Sequence, residues 1–502
     1  MNALRIAILA SLCILFPSCS GGPSVPDAQV VQLPVASDPT ISFRIWFKVG
    51  AQDDPPGKEG LAALTASMMT NASTAANSYE QILDKLFPLA AAYRSSTSAE
   101  MTVIYGRVHK DNMDDFYPLF RDAILRPAFT QEDLDRLKSE ALNYLENTLR
   151  YANDEELGKA VLYNTIFAGS GYGHITTGLI ESVRSITVDD VKGFYTRYFT
   201  QDRAVIGLGG GYSDGIIARL QSDIALLPVG AAPKAPKPNR EPLDGMHVTI
   251  VEKEATSTAI SAGFPIDILR GPREWYALAI ANSWLGEHRN QSSHLYNVIR
   301  EKRGLNYGDY SYIEHFPNGG RLQMPPQNVS RRQQIFEIWI RPVPNEARHF
   351  SLRAALREYK KLVDNGMTRE QFELTRNFLR KYVLHYAPTT MERLGYALDD
   401  VFYGIQGSHL DRFRELMDEI TLEEVNNAIR EYLHYGGMQI VIVTKDAGDL
   451  KTALVNDTPS PITYATPKPQ EVLEEDRKIS AFPLKIPSEN ITVIPVADLF
   501  IQ

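Results

Sequence analysis

The chain has 502 residues, 44% hydrophobic and 23% charged, enough to bury large cores and, at roughly 100–200 residues per domain, to build two to four domains. Its 52 basic and 61 acidic residues leave a formal net charge of −9, which argues against a general nucleic-acid surface or a polybasic membrane surface. Cys13 and Cys19 are the only cysteines, so the folded body can hold neither an internal disulfide nor a thiolate metal site.

In chain order, residues 1–20 have a basic start with Arg5, an apolar run over 6–16 and then Pro17-Ser18-Cys19-Ser20. The run is too short to span a bilayer as a mature helix and is expected to be a secretory signal. Phe16-Pro17-Ser18-Cys19 resembles a bacterial lipobox, with Phe16 where Leu is usual. That resemblance implies a lipid on Cys19, a membrane anchor and a place at the periplasmic face of a bacterial envelope. Cleavage by an ordinary signal peptidase near Ser18 to Ser20, leaving a soluble periplasmic protein, is the alternative. Residues 21–39, rich in Gly, Pro and Ser, are expected to be a tether.

Residues 41–49 alternate as a strand, and 50–57 are a long turn signal. Residues 60–69, GLAALTASMM, are apolar almost all round, which predicts a buried helix. Helical patterns at 79–89, 118–124, 130–150 and 154–166, with a strand at 99–108, continue the unit, and a turn at 169–174 closes it. The order then repeats. ITVDDV at 186–191 returns as ITLEEV at 420–425, and Thr130 with its acidic followers returns at Thr368; each Thr reads as a helix N-cap. Two homologous α+β domains are therefore expected, at 40–227 and 246–454. The Pro- and Ala-rich residues 228–245 form a semi-stiff linker between them. Seven prolines after 455 exclude a continuous helix there, and 455–502 are expected to be an extended tail.

The strongest chemical signature is residues 293–307, SHLYNVIREKRGLNY. Leu295, Val298 and Ile299 predict a helix with one buried face that carries Arg300, Glu301, Lys302 and Arg303 towards solvent. Gly304 is expected to end it and Leu305-Asn306-Tyr307 to leave as a strand, with Arg300 and Tyr307 pointing into one cleft. On residue types alone, basic side chains in a last helical turn equally serve to complement the helix dipole.

The string IREKRGLNY, preceded by LGEHRNQSSHLYN, resembles the second domain of the M16 peptidases, the pitrilysin, insulinase and processing-peptidase family. The resemblance implies two domains of one type, each a mainly antiparallel sheet covered by helices. It also implies that Arg300 and Tyr307 hold substrate backbone and the developing oxyanion opposite a zinc site. In that family the zinc sits on H-x-x-E-H in the first buried helix, with a Glu some 75 residues later. WFKVGAQDDPPGKEGLAALTASMM resembles the strand, turn and helix of that site. The first His, however, falls on Ala63, the Glu on Ala66 and the second His on Ser67. Aligned through Glu156-Leu157 and YGHITTG, the third ligand falls on Glu146, with Glu140 as an alternative. One carboxylate does not hold zinc, so no cofactor is expected on this chain and Glu146 is expected to be a solvated helix residue. The ten His include no i, i+4 pair; His174, His294 and His315 read as surface or turn residues.

GLGGGYSDG at 207–215 invites a nucleotide-loop reading, but Tyr212 occupies the third glycine position and no G-K-[ST] follows. What the resemblance implies is the non-zinc subunit of an exported two-chain peptidase of M16B type. Its partner, in a heterodimer or larger assembly, brings H-x-x-E-H and the zinc, and an extended, unfolded peptide is cut between them. A lipid-anchored pseudopeptidase that scaffolds peptides or an envelope complex without cleavage is the alternative.

Overall fold

A computed structural model describes residues 28–230, 234–238 and 243–502. The expected signal segment and Cys19, the expected lipid site, lie outside the described residues. Among the described residues no helix is long and apolar enough to cross a membrane.

The first domain is built on β1 (Gln29–Pro34), β2 (Thr40–Phe47), β3 (Ala92–Thr97), β4 (Thr102–His109) and β5 (Ala204–Gly210), in the order β1-β5-β2-β4-β3. The second uses β6 (Met246–Glu252), β7 (Ser257–Ile266), β8 (Asp309–Tyr312), β9 (Gln334–Pro344), β10 (Met438–Thr444) and β11 (Ile491–Pro495), in the order β11-β6-β10-β7-β9-β8. Without β11 the two wirings are the same, strand for strand. The first strand of each runs parallel to the last, and the other pairs are antiparallel. The repeated Thr signals cap the expected helices: Thr187 with Asp190 and Thr421 with Glu424 form reciprocal capping boxes.

Every residue of β5 and of β10 is buried, as for central strands covered on both faces. The cover is exchanged between domains. The helix Leu61–Thr70 (α1) packs on β3 and β4 of its own sheet. The helix Asp154–Ile166 (α2), from the first half of the chain, lies across β7 and β10 of the second sheet. There Leu157, Ala160 and Val161 meet Val251, Ala259, Val441 and Val443. In return the helix Thr390–Tyr403 (α3) lies on the first sheet, where Leu398 packs with Trp46 and Val205. Polar bonds lock the exchange: Tyr163 donates to Glu337 at 2.6 Å, and Arg44 Nε to the Met391 carbonyl at 3.1 Å.

Three expectations change. Residues 29–34 are not tether: they form β1, whose half-buried Val30, Val31 and Leu33 among exposed neighbours suit an edge strand. The tail is not simply extended. It carries the helix Gln470–Ser480 (α4) and gives β11 to the second sheet, with Val472 and Ile479 of α4 buried. In the linker, Ala235 accepts from Arg332 at 2.9 Å and Lys237 pairs with Asp267 at 2.9 Å, so these positions are fastened to the second domain.

Candidate functional site

The frame of α1 is complete. Gly60 precedes it at φ +100°, and a Cβ there would lie 2.5 Å from the Thr177 carbonyl, so only glycine lets the turn at 172–178 pack this closely. Asp54 accepts from the Gly60 and Ala62 N–H groups, both at 2.7 Å, and so caps the helix start. Burial pushes its carboxyl upward, while His174, 3.1 Å away, and the two N–H groups pull it back.

Ala63 and Ser67, one turn apart on α1, both line an open cleft of about 1660 Å³ between the domains. Ala66 is wholly buried. Glu146 sits in the π-turn Tyr144–Leu149, bonded to Arg184 at 2.5 Å, and is absent from the cleft wall. The four positions therefore do not form one site. A zinc ion does not fit them: two methyl groups and a hydroxyl replace the imidazoles and the base, and the carboxylate is engaged elsewhere. Among the described residues no group of three or more His, Asp or Glu side chains is placed to hold a metal.

The second constellation follows the π-turn Tyr296–Glu301. Leu295, Val298 and Ile299 are buried as expected. Gly304, at φ +72°, ends the turn, its N–H donating to Arg300 O at 2.7 Å. Residues 305–307 are not a strand, because the buried Asn306 holds them in a loop. Its amide donates to Asp309 at 2.7 Å and to the Arg341 carbonyl at 3.1 Å. Burial pushes the Asp309 carboxyl well above its usual range, against the pull of that amide. With Asn306 anchored inward, Tyr307 is 78% exposed, and its ring centroid lies 5.9 Å from the Arg300 guanidinium carbon. Arg300 makes no other polar contact among the described residues. The pair converges as the spacing predicts, but on an open surface, and it lines no part of the interdomain cleft.

Arg303 does not face solvent. Its side chain is fully buried, donating to Asp476 at 2.8 Å, Glu475 at 3.1 Å and the Val298 carbonyl at 2.6 Å. The tail helix α4 thus clamps the turn that carries Arg300. The acidic pair supplying the counter-charge lies more than 170 residues away, so no local sequence pattern points to it. His315 and His294 are also engaged: His315 packs edge-on against Tyr163, and His294 bonds Glu358 at 2.8 Å.

Gly211-Tyr212-Ser213-Asp214-Gly215, part of the segment weighed above as a nucleotide loop, also spells G-x-S-x-G between β5 and the helix Gly215–Ile224. Ser213 is exposed and its hydroxyl bonds no His among the described residues, so no catalytic triad is assembled there.

Two family models match the chain: "Insulinase (Peptidase family M16)" over residues 30–175, and "Peptidase M16 inactive domain" over 185–379. Together they span more than half of it. An uncharacterized zinc protease of Mycobacterium bovis is 24% identical over 405 residues, covering 78% of this chain and 86% of the relative. A non-peptidase homolog, YmxG, of Helicobacter pylori is 22% identical over 419 residues, covering 81% and 89%. Among solved structures, a peptidase M16 inactive domain from Pseudomonas fluorescens superposes with a TM-score of 0.73 at 22% identity, covering 84% of this chain and 96% of that one. A protease from Helicobacter pylori gives 0.69 at 17% identity, covering 83% and 97%. These two likenesses speak to the fold.

Proposed function

The chain belongs to the M16 peptidase family, and we propose that within it the chain is the non-zinc half of a two-chain peptidase for unfolded peptides. The observation that carries this reading is the exposed Arg300/Tyr307 pair, held in place by Asn306 and by α4, with side chains that make no other polar contact among the described residues. A partner with an intact H-x-x-E-H helix brings the metal and the base. This chain brings two donors. The Tyr307 hydroxyl and the Arg300 guanidinium hold the scissile carbonyl oxygen and its neighbouring backbone, where a donor aimed at developing negative charge contributes about 3 kcal/mol.

The test is peptide turnover by the complex reconstituted with variants. Tyr307→Phe removes one hydroxyl at an exposed site, so assembly should persist while kcat and kcat/KM fall together by roughly 100-fold. Arg300→Ala should also raise KM, because it removes ground-state contacts as well. Parental rates in both assembled variants would defeat the reading. They would favour a peptide-holding scaffold, which the name of the H. pylori relative YmxG, a non-peptidase homolog, also supports.

The same proposal places the chain on the periplasmic face of a bacterial envelope, anchored through a lipid on Cys19. Fractionation checks this: Cys19→Ser should move the chain to the soluble fraction, and unchanged membrane association would rule the anchor out.

A further inference from the structure

The helix Arg273–Gly286 stands in the second domain where α1 stands in the first, and it too faces a cavity. This is not the interdomain cleft, although His315 and Pro326 stand in both walls. It is walled by that helix, by β8 and the chain after it, and by the helices Arg369–Tyr382, α3 and His409–Glu419. Its free space of about 80 Å³ is roughly half of the 150 Å³ in which an engineered apolar cavity holds benzene, so it suits a ligand head of about four heavy atoms.

Glu287 is the group in this wall that folding does not account for. It is 8% exposed and follows the last residue of the helix. Burial pushes its carboxyl to about 7, with no basic side chain drawing it back down. A buried carboxylate without a cation is costly, and the C-terminal end of a helix, where the macrodipole is negative, adds to the cost. The other charges nearby are matched or absent. Arg270 donates to both Glu314 oxygens at 2.8 to 3.0 Å and lies 3.6 Å from Asp399. Lys159 is held by the Phe316 carbonyl and Glu337, and Arg289 donates to the Gly320 carbonyl at 3.0 Å. His288 is engaged at both nitrogens, by the Tyr312 hydroxyl at 2.8 Å and the Leu322 carbonyl at 3.0 Å. Burial keeps it, His315 and His409 uncharged.

The rings of the wall divide in the same way. Lys159 lies over Tyr312 and Phe316, and Arg270 over Tyr396, at 5.0 to 5.7 Å from the centroids. No cation among the described residues lies over Trp275, Tyr386 or Phe413. These three pack edge to face, Phe413 at 5.9 Å from Trp275 and 6.4 Å from Tyr386. Burial raises the Tyr386 hydroxyl well above its usual range, and the nearby Glu287 carboxyl adds to the rise. Asn282 Oδ1, at the same end of the helix as Glu287, is buried without a donor. Trp275 Nε1, Arg270 Nη1 and His315 Nδ1 also lack partners among the described residues, yet none of them bonds Glu287 or Asn282 Oδ1. A carboxylate without a cation, a free amide oxygen and three rings without a cation are the elements that recognise an alkylammonium ion.

We propose that this cavity of the second domain binds a small alkylammonium ion, with Glu287 as the charge partner and Trp275, Tyr386 and Phe413 packed around the alkyl groups. The proposal goes beyond the two-chain reading and uses neither Arg300, Tyr307, the interdomain cleft nor a partner. It is tested on this chain alone, so its failure and the failure of the cleavage reading are separate results.

The experiment is a saturation-transfer NMR titration of the purified chain at pH 8, where the Glu287 carboxyl is ionised. The probes are isopropylammonium chloride and isopropanol, which share a shape and differ in charge. Isopropylammonium should bind about 10-fold tighter than isopropanol. Glu287→Gln removes the charge and keeps the shape, so it should bring the two affinities together.

Because Glu287 is buried, a second variant guards against misfolding. Phe413→Leu keeps the carboxyl and removes one ring, and should weaken isopropylammonium about 5-fold while changing isopropanol less. Absence of isopropylammonium binding, or equal binding of the two probes by the parent, would overturn the proposal. So would a preference undiminished in a folded Glu287→Gln or Phe413→Leu variant.

Discussion

In the first domain, α1 runs beneath the cleft with Ala63 and Ser67 on its open face. In the second, the helix Arg273–Gly286 has the same place in the topology, and the chain beyond it turns outward to present Arg300 and Tyr307. The first stretch has kept a frame without its chemistry. Asp54, Gly60 and the turn at His174 cap and pack α1 by contacts that require no metal, so the fold stands with no ligating side chain at Ala63, Ala66 or Ser67. The second has kept side chains that folding alone does not call for. A tyrosine 78% exposed buries little surface and stabilises little, yet Asn306, Asp309 and α4 hold the loop around it in one arrangement.

The largest effect on this contrast should come from Arg303→Met. It would leave Asp476 and Glu475 without their main counter-charge and cost about 3–5 kcal/mol, read by urea unfolding. Asp476→Asn added to it should recover part of the loss. If Arg303→Met is neutral, α4 is not what fastens the Arg300 turn.

A smaller effect comes from pH. Glu287 is the C-cap residue of the helix Arg273–Gly286, and burial pushes its carboxyl to about 7. A carboxyl raised on folding binds more protons folded than unfolded. Its contribution is therefore fully present below its unfolded value near 4.5 and is lost as pH rises through about 7. The loss between those limits is about 3 kcal/mol. Glu287→Gln should flatten that part of the stability profile, whereas an unchanged slope would place the titration elsewhere.

Much of this was legible in the sequence, because the signals were local and occurred twice. The Thr capping boxes at Thr187 and Thr421, the all-apolar α1 and the Arg300-to-Tyr307 spacing each arise from neighbouring residues. What was missed depends on distant partners. The apolar face of α2 does not declare that it will cover the other domain's sheet. Arg303 reads as a solvated lysine-like charge until Glu475 and Asp476 arrive from the tail. Residues 29–34 look like tether because an edge strand needs only half of its side chains apolar. Arg331, beside Arg332 in a polar run, reads as loop charge; its burial is set by three aromatic rings from the other half of the chain.

The most direct test of the account is peptide turnover measured for this chain alone, for a family chain with an intact H-x-x-E-H helix alone, and for the two mixed, with zinc counted in each. The account predicts no stoichiometric zinc and no hydrolysis for this chain, and turnover in the mixture well above that of either part. One zinc per chain in the isolated protein, removed by chelator together with hydrolytic activity, would contradict it; so would a mixture no faster than the zinc-bearing chain alone.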